Sequence, residues 1–421
     1  MLKLFNSSKA VNSTDDFYLS KLLFFFALYA YIFQPPVVNK LFFALIGFFI
    51  FSFFFISKPN YSISYFKKLR FEISIGISLV FFSILRDFFS GDIVYSDRFF
   101  IWFLQSLVFP VYVIYIFERY IKKKHGSSKD LLDFVYYVVA FAGVVTVLLI
   151  LIPEFDKFYE AIQVDDYYER YKSFEFRYRA YGISENLTFT YGYLLGFFAA
   201  YALFKLKESY FHFFIFLLLL VGVAFNARIG FLPVILMLFY MATIGFRLRT
   251  FICFGIFLLL TITILVKTVS DLDDLLYWPL MFFRELIGFL ISGDGGTAST
   301  LFTDFIIVPN NNWELFFGKG ISLFGLETGS SDVGYILQLN YAGILFSFLV
   351  VVFFTICSTR LYYTVGFRSW FFWFFTFSIF FLNIKGFLLA ATPGARLLFL
   401  VYCYYIFTHV RVSNSVQTRL T

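Results

Sequence analysis

Long hydrophobic runs recur along the chain, parted by short clusters of Lys, Arg, Asp, Glu, Gly and Pro. Each run approaches the roughly 20 apolar residues that carry an α-helix across about 30 Å of hydrocarbon. The pattern predicts twelve such helices, near residues 18–33, 41–57, 71–90, 99–117, 131–152, 183–204, 210–225, 229–246, 250–266, 334–357, 370–389 and 394–410. A membrane barrel would instead show short alternating strands, so helices are expected. The first run follows Lys3, Lys9 and Lys21 and leads into Q-P-P-V-V-N-K without a small-residue cleavage site. It therefore reads as a retained helix and not a signal peptide.

Composition removes the soluble alternative. Hydrophobic residues make up 60% of the 421, and only 14% are charged, so a soluble globule would have nowhere to put its apolar surface. The expected fold is an all-α polytopic integral membrane protein of about twelve transmembrane helices, a single membrane domain over residues 1–421. The net charge of +7 changes the picture only by orienting it. With both termini cytoplasmic, 20 of the 34 Lys and Arg fall in short inner connections or tails, among them Lys67, Lys68, Arg70, Lys122 to Lys124, Arg360 and Arg368. That is the positive-inside distribution, and it gives no reason to expect nucleic acid as a partner. Cys253, Cys357 and Cys403 all lie in predicted spans, which excludes a loop disulfide framework and a Cys/His metal cluster.

The same topology leaves two long outer connections, residues 153–182 and 267–333. Loops of this size on a compact protein are usually functional or disordered, and these read as ordered. The first is crowded with aromatic and charged residues. The second holds L-L-Y-W-P-L-M-F-F-R-E-L-I-G-F-L-I-S, broken by Pro279, Arg284 and Glu285, and reads as an interfacial helix on the outer leaflet. The G-K-G at 318–320 lacks the spacing of a phosphate loop.

Against this background the stretch A-F-N-A-R-I-G, residues 224–230, is unexpected. An Arg at the centre of a spanning helix costs about 2.5 to 3.5 kcal/mol, and such residues usually line a cavity or a site. The topology puts Arg228 at the outer turn between the seventh and eighth spans. Arg86, Lys385 and Arg396 reach a similar level, on the side that should be poor in cations, with Asp87 the one nearby acid on those segments. Long side chains near helix ends also snorkel to headgroups without further role. Asn226, Gly230 and Pro233 around Arg228, and Gly386 and Gly394 around Lys385 and Arg396, instead indicate packed or broken helices. The functional reading is a basic cavity for an anionic headgroup such as a lipid diphosphate, which guanidinium forks grip bidentately.

Three stretches in this order resemble the O-antigen polymerase family (Wzy type), related to the O-antigen ligases. They are R-Y-R-A-Y-G-I-S-E-N-L-T-F from Arg177, N-A-R-I-G-F from Asn226, and F-F-G-K-G-I-S-L-F followed by S-D-V-G-Y-I-L-Q-L-N-Y-A-G-I-L ending at Leu345. Members of that family carry about a dozen spans and two large outer loops, with an Arg and a Gly separated by ten residues in the loops. Arg284 with Gly295 fits that spacing, whereas Arg177 and Arg179 do not. The ligases use a loop His that has no outer counterpart here. The resemblance implies transfer of a growing glycan from undecaprenyl diphosphate onto another lipid-linked repeat unit, at the periplasmic face of a bacterial inner membrane. It implies as partners an undecaprenyl-diphosphate-linked oligosaccharide and membrane lipid, leaves room for a chain-length regulator protein, and calls for no metal or other cofactor.

Such chemistry needs stabilised charge on the departing diphosphate and a base for the acceptor hydroxyl. Arg228, Arg284 and Arg396 are the first choices for the charge, with Lys385, Arg86, Arg177 and Arg179 beside them and Asn226 in the same wall. Glu175, Glu185 and Asp332 are the candidate bases, although Asp332 is also a plausible N-cap of the tenth span. Tyr178 and Tyr181 would stack on sugars or simply join the interfacial aromatic belt. Two other classes stay open: a lipid-linked oligosaccharide flippase or transporter, whose charges should lie deeper in the membrane, and an O-antigen ligase.

Overall fold

The computed structural model describes residues 14–36, 40–90, 96–122, 130–152, 154, 182–184, 189–243, 306, 308–309, 311–320, 333–367 and 369–420. All regular structure among them is helical. In chain order it comprises α1 (Thr14–Phe33), α2 (Lys40–Ser57), α3 (Pro59–Lys68), α4 (Arg70–Ser90), α5 (Ser96–Phe103), a π-helical segment Leu104–Val108, α6 (Pro110–Ile116) and a second π-helical segment Phe117–Lys122. There follow α7 (Leu131–Leu151), α8 (Phe189–Lys205), α9 (Phe211–Asn226), a 3-10 turn Arg228–Gly230, α10 (Phe231–Thr243), α11 (Asn312–Phe317), α12 (Gly334–Val365), α13 (Trp370–Lys385) and α14 (Pro393–Leu420).

Arg98–Ile121, Leu131–Leu151 and Gly334–Val365 are each long and apolar enough to cross a membrane. Leu41–Ser57 and Pro59–Lys68 qualify as a pair bent by 109°. Leu19–Phe33, Phe211–Asn226, Phe231–Met241 and Trp370–Lys385 are apolar but shorter. The chain is thus all-helical where described, with several helices able to span a membrane, which is compatible with a multi-pass membrane protein. The expected ninth span at 250–266, the interfacial segment around Arg284 and most of both long loops lie outside the described residues.

Contacts divide the chain into two units: residues 1–34, 38–138 and 301–421, and residues 35–37 and 139–300. In the first unit an aromatic core does the packing. The Trp102 ring stands edge-on to Phe353 and Phe399, and Phe375 stacks on Tyr402. The π-helical segment in this core follows from Pro110, whose ring and missing N–H break the i→i−4 ladder. Phe109 N–H instead reaches back five residues to the Leu104 carbonyl, at 2.8 Å. The carbonyls this exposes are taken up by side chains. Tyr31 donates to Gln105 O, Tyr65 to Leu107 O at 2.8 Å, and the Cys403 thiol to Ser106 O at 3.8 Å. Three other helices are thereby stitched to the bulge, and each of these three carbonyls gains a partner in place of its lost helical one.

At the end predicted to be cytoplasmic, α4, α12 and α14 meet on one carboxylate. Glu72 is fully buried, pairs with Arg360, and accepts from the Tyr402 hydroxyl. Arg360 also donates to the Lys68 carbonyl, and the Lys68 ammonium donates to the Phe407 carbonyl at 2.8 Å. An intramembrane charge persists only with such partners.

Within the second unit α8 packs on the chain that leaves α9. Gly192-Tyr193-Leu194-Leu195-Gly196 is a G-x-x-x-G face, the small-residue pattern that lets backbones approach closely. A Cβ on Gly192 would lie 2.8 Å from the Ala227 nitrogen, and one on Gly196 would overlap the Gly230 carbonyl.

Candidate functional site

The break expected at N-A-R-I-G is present. α9 ends at Asn226, Ala227 is extended (φ −152°, ψ 120°), and Arg228 opens a 3-10 turn that leads into α10. The turn closes with Gly230 N–H donating to the Ala227 carbonyl at 2.9 Å. Asn226 is fully buried and its amide donates back to the Gly222 carbonyl at 2.7 Å. Its Oδ1 has no hydrogen-bond partner among the described residues. The backbone of the Arg228 turn is therefore packed against the G-x-x-x-G face of α8, while the Asn226 side chain folds back onto its own helix.

The other three cations lie in the first unit, each at an interruption of a helix. Arg86, near the end of α4, donates from Nε to the Tyr341 carbonyl at 3.0 Å and from an Nη to the Gly318 carbonyl at 3.5 Å. It finds those carbonyls because α12 is kinked at Gly343 (φ 78°, ψ −172°). The residues before the kink form a helix C-terminus, whose orphan carbonyls and negative dipole end attract a cation. The G-K-G segment serves the same break, Lys319 N–H bonding Asn340 O at 2.7 Å and Gly320 N–H bonding Tyr341 O at 3.2 Å. Gly318, Gly320 and Gly343 all have left-handed φ near +77° to +78°, and Cβ atoms at Gly318 and Gly343 would strike the opposing backbone. F-F-G-K-G and N-Y-A-G, far apart in sequence, are thus mated backbone to backbone. Beside them the buried Tyr341 hydroxyl donates to Asp87 Oδ1 at 2.9 Å and lies 2.7 Å from the Ser83 hydroxyl. Lys319 adds a fifth cation, paired with Glu314 at 3.4 Å.

Lys385 and Arg396 bracket a second interruption. α13 stops at Lys385, residues 386–392 are non-helical and almost wholly buried, and α14 starts with Pro393 at its first position. The Thr392 hydroxyl caps α14 by accepting from Ala395 N–H at 3.3 Å. Arg396 is fully buried. It donates to the Ile32 carbonyl at 2.8 Å, to the Ala391 carbonyl at 2.9 Å and to Gln105 Oε1 at 3.1 Å. Ile32 belongs to the last turn of α1, so Arg396, like Arg86, caps a helix C-terminus. Lys385 is half-buried. The two interruptions are joined through Phe99, whose ring centroid is 6.1 Å from that of Tyr341 and 5.2 Å from that of Phe387.

No family model, curated protein or solved structure matches the chain. The residues themselves carry the functional reading.

Arg177, Tyr178, Arg179, Tyr181, Glu175, Glu185, Arg284 and Asp332 lie outside the described residues. One expectation about Asp332 is corrected all the same: the N-cap position of α12 is Val333, with no side-chain cap. The first-loop stretch that carries Arg177 and Arg179 emerges at Gly182, and Ile183 packs on Val145 and Leu149 of α7. Sequence reasoning overlooked Tyr341, Lys319 and Gln105. The usable signal was glycine at 318, 320 and 343, each placed where neither a phosphate loop nor a regular helix explains it.

Proposed function

We infer that the protein is a polysaccharide polymerase of the O-antigen type, a glycosyltransferase of about twelve spans in a bacterial inner membrane, with both termini cytoplasmic and two periplasmic loops. It takes a growing glycan from undecaprenyl diphosphate and adds it to another lipid-linked repeat unit. The acceptor hydroxyl oxygen bonds to the anomeric carbon, the bond from that carbon to the diphosphate oxygen breaks, and the electron pair leaves with undecaprenyl diphosphate. The hydroxyl proton passes to a carboxylate, for which Glu175, Glu185 and Asp332 are the candidates.

The observation that carries this reading is the placement of cations at interruptions of otherwise apolar helices. Arg228 follows the break after α9, Arg86 sits at the kink of α12, and Lys385 and Arg396 flank the irregular segment between α13 and α14. Irregular backbone at membrane depth is tolerated where it is buried in protein or lines a cavity, and it is the usual setting of polar sites in membrane proteins. In this reading Arg228 and Arg284, with Arg177 and Arg179, are the candidates for offsetting charge on the leaving diphosphate, while Arg396 and Arg86, which donate to helix-terminal carbonyls, brace the interruptions at which they sit. Family resemblance at R-Y-R-A-Y-G, N-A-R-I-G-F and F-F-G-K-G supports it.

Arg228→Ala tests it in cells. With the variant inserted at wild-type level, polymer yield is expected to fall on the order of a hundredfold, the usual loss when one preorganised donor to a developing anion is removed. Unchanged glycan length and yield on a gel would refute the role given to Arg228.

A further inference from the structure

Lys67 lies in the last turn of α3, and Arg70 is the first residue of α4. Both are exposed. Among the described residues, neither has a carboxylate partner or a side-chain hydrogen bond. Arg360 reaches the same corner from α12, but there its charge is matched by Glu72. Two cations are thus left over at the end predicted to be cytoplasmic. The Phe71 ring, half of its surface exposed, stands between the two arginines. The Arg70 guanidinium lies 4.7 Å from the ring centroid and the Arg360 guanidinium 6.0 Å from it. An aromatic contact of this kind positions a guanidinium while using none of its N–H donors.

Arg70, Ile77, Phe81 and Phe88 recur at spacings of seven, four and seven residues, which puts them on one stripe of α4. Ile77, Phe81 and Phe88 are 53%, 59% and 77% exposed. A cation therefore heads a column of bare hydrocarbon. A soluble anion would use the cation and leave the column uncovered. An amphiphile covers both, with its phosphate at Lys67 and Arg70 and an acyl chain along α4. The headgroup follows from charge: a phosphodiester of an uncharged alcohol keeps its negative charge, whereas a choline headgroup brings an ammonium that Lys67 and Arg70 repel. Basic sites between helices on the cytoplasmic side are a known setting for such anionic headgroups.

We propose that Lys67, Arg70 and the exposed stripe of α4 bind one anionic phospholipid, of the phosphatidylglycerol class. The lipid would complete the corner where α3 passes into α4, beside the Glu72–Arg360 pair, and its binding is independent of any glycan chemistry.

The test uses the full-length protein purified in detergent and titrated with dioleoyl phosphatidylglycerol or dioleoyl phosphatidylcholine, bound lipid being counted by native mass spectrometry. One phosphatidylglycerol is expected to bind at least about tenfold more tightly than phosphatidylcholine. Lys67→Gln and Arg70→Gln should each weaken phosphatidylglycerol about fivefold and leave phosphatidylcholine unchanged, while Arg70→Lys keeps most of the preference. Lys207→Gln is the matched control, since Lys207 is also exposed and lies 5.9 Å from the Phe204 ring centroid, in the other unit. It should change neither affinity. Equal affinity of the wild type for the two lipids would overturn the site, whatever the variants do. Wild-type phosphatidylglycerol binding in the double Gln variant, or an equal loss in Lys207→Gln, would show diffuse attraction to a positive protein and overturn it as well. Displacement of the lipid by inorganic phosphate would assign the two cations to a soluble anion, and the lipid would again be ruled out.

Discussion

Arg360→Met is expected to destabilise the protein by about 3 to 5 kcal/mol, the range for removing one partner of a buried ion pair. The size of the effect comes from what is left behind. Glu72 is fully buried while the Arg360 side chain keeps 25% of its exposure, so the carboxylate has no route to water once its guanidinium is gone. Tyr402 still donates to Glu72, and one neutral donor does not replace a cation. The Lys68 carbonyl also loses its Arg360 partner, which loosens the turn where α3 passes into α4. The reverse variant, Glu72→Gln, is expected to be milder, because Arg360 is the partly exposed partner and a long basic side chain can carry its charge to polar surroundings. The double variant Glu72→Leu with Arg360→Met should recover most of the loss, as apolar replacement of a whole buried pair commonly does. Thermal unfolding in detergent, followed for the four proteins side by side, checks the ordering. A single Arg360→Met variant as stable as wild type would mean that the pair contributes nothing.

Gly196→Ala is expected to abolish polymer formation and to cost about 1 to 3 kcal/mol of stability, the range for overpacking a close contact. The added methyl would meet the Gly230 carbonyl, which is backbone and cannot rotate away. Either α8 or the turn that begins with Arg228 must move, and catalytic groups displaced by about 1 Å lose on the order of a hundredfold in rate. Gly47 provides the contrast, since a methyl there meets only the Phe109 ring, and a ring can swing aside. Gly47→Ala should therefore keep most of the activity. Glycan length profiles from cells carrying each variant at equal membrane abundance read out the difference. A normal profile from Gly196→Ala would show that the position of the Arg228 turn does not matter.

Both predictions concern features that differ in how far they could be read in advance. Helix class, and the breaks after Asn226 and after Lys385, were legible because they are local. Apolar runs of spanning length, an Asn with a Gly and a Pro close by, and Gly386 with Pro393 each act on their own stretch of chain. The ends were less legible: α8 begins at Phe189 and α13 stops at Lys385, inside the runs that predict them. Pairings between distant residues were not legible at all. Glu72 and Arg360 are 288 positions apart, and hydropathy marks Glu72 only as a blemish in the third run and Arg360 as an orientation signal. The capping of Tyr341 by Arg86, the mating of Gly318 to Gly320 with the kink at Gly343, and the meeting of Arg70 and Arg360 at the Phe71 ring depend in the same way on which helices meet. Periodicity does not encode that. Arg86 and Arg396 were found by their charge, but their hydrogen bonds to helix-terminal carbonyls were not, because a guanidinium suits a carbonyl and a phosphate equally well.

The central claim is that this chain joins lipid-linked glycans, and one measurement addresses it most directly. Purified protein in detergent, given undecaprenyl-diphosphate-linked repeat units and no membrane to cross, should convert them into a ladder of longer lipid-linked chains while releasing undecaprenyl diphosphate in step with each bond formed. Repeat units that stay single in detergent, while the same protein moves them between the leaflets of liposomes, would contradict the polymerase and identify a transporter.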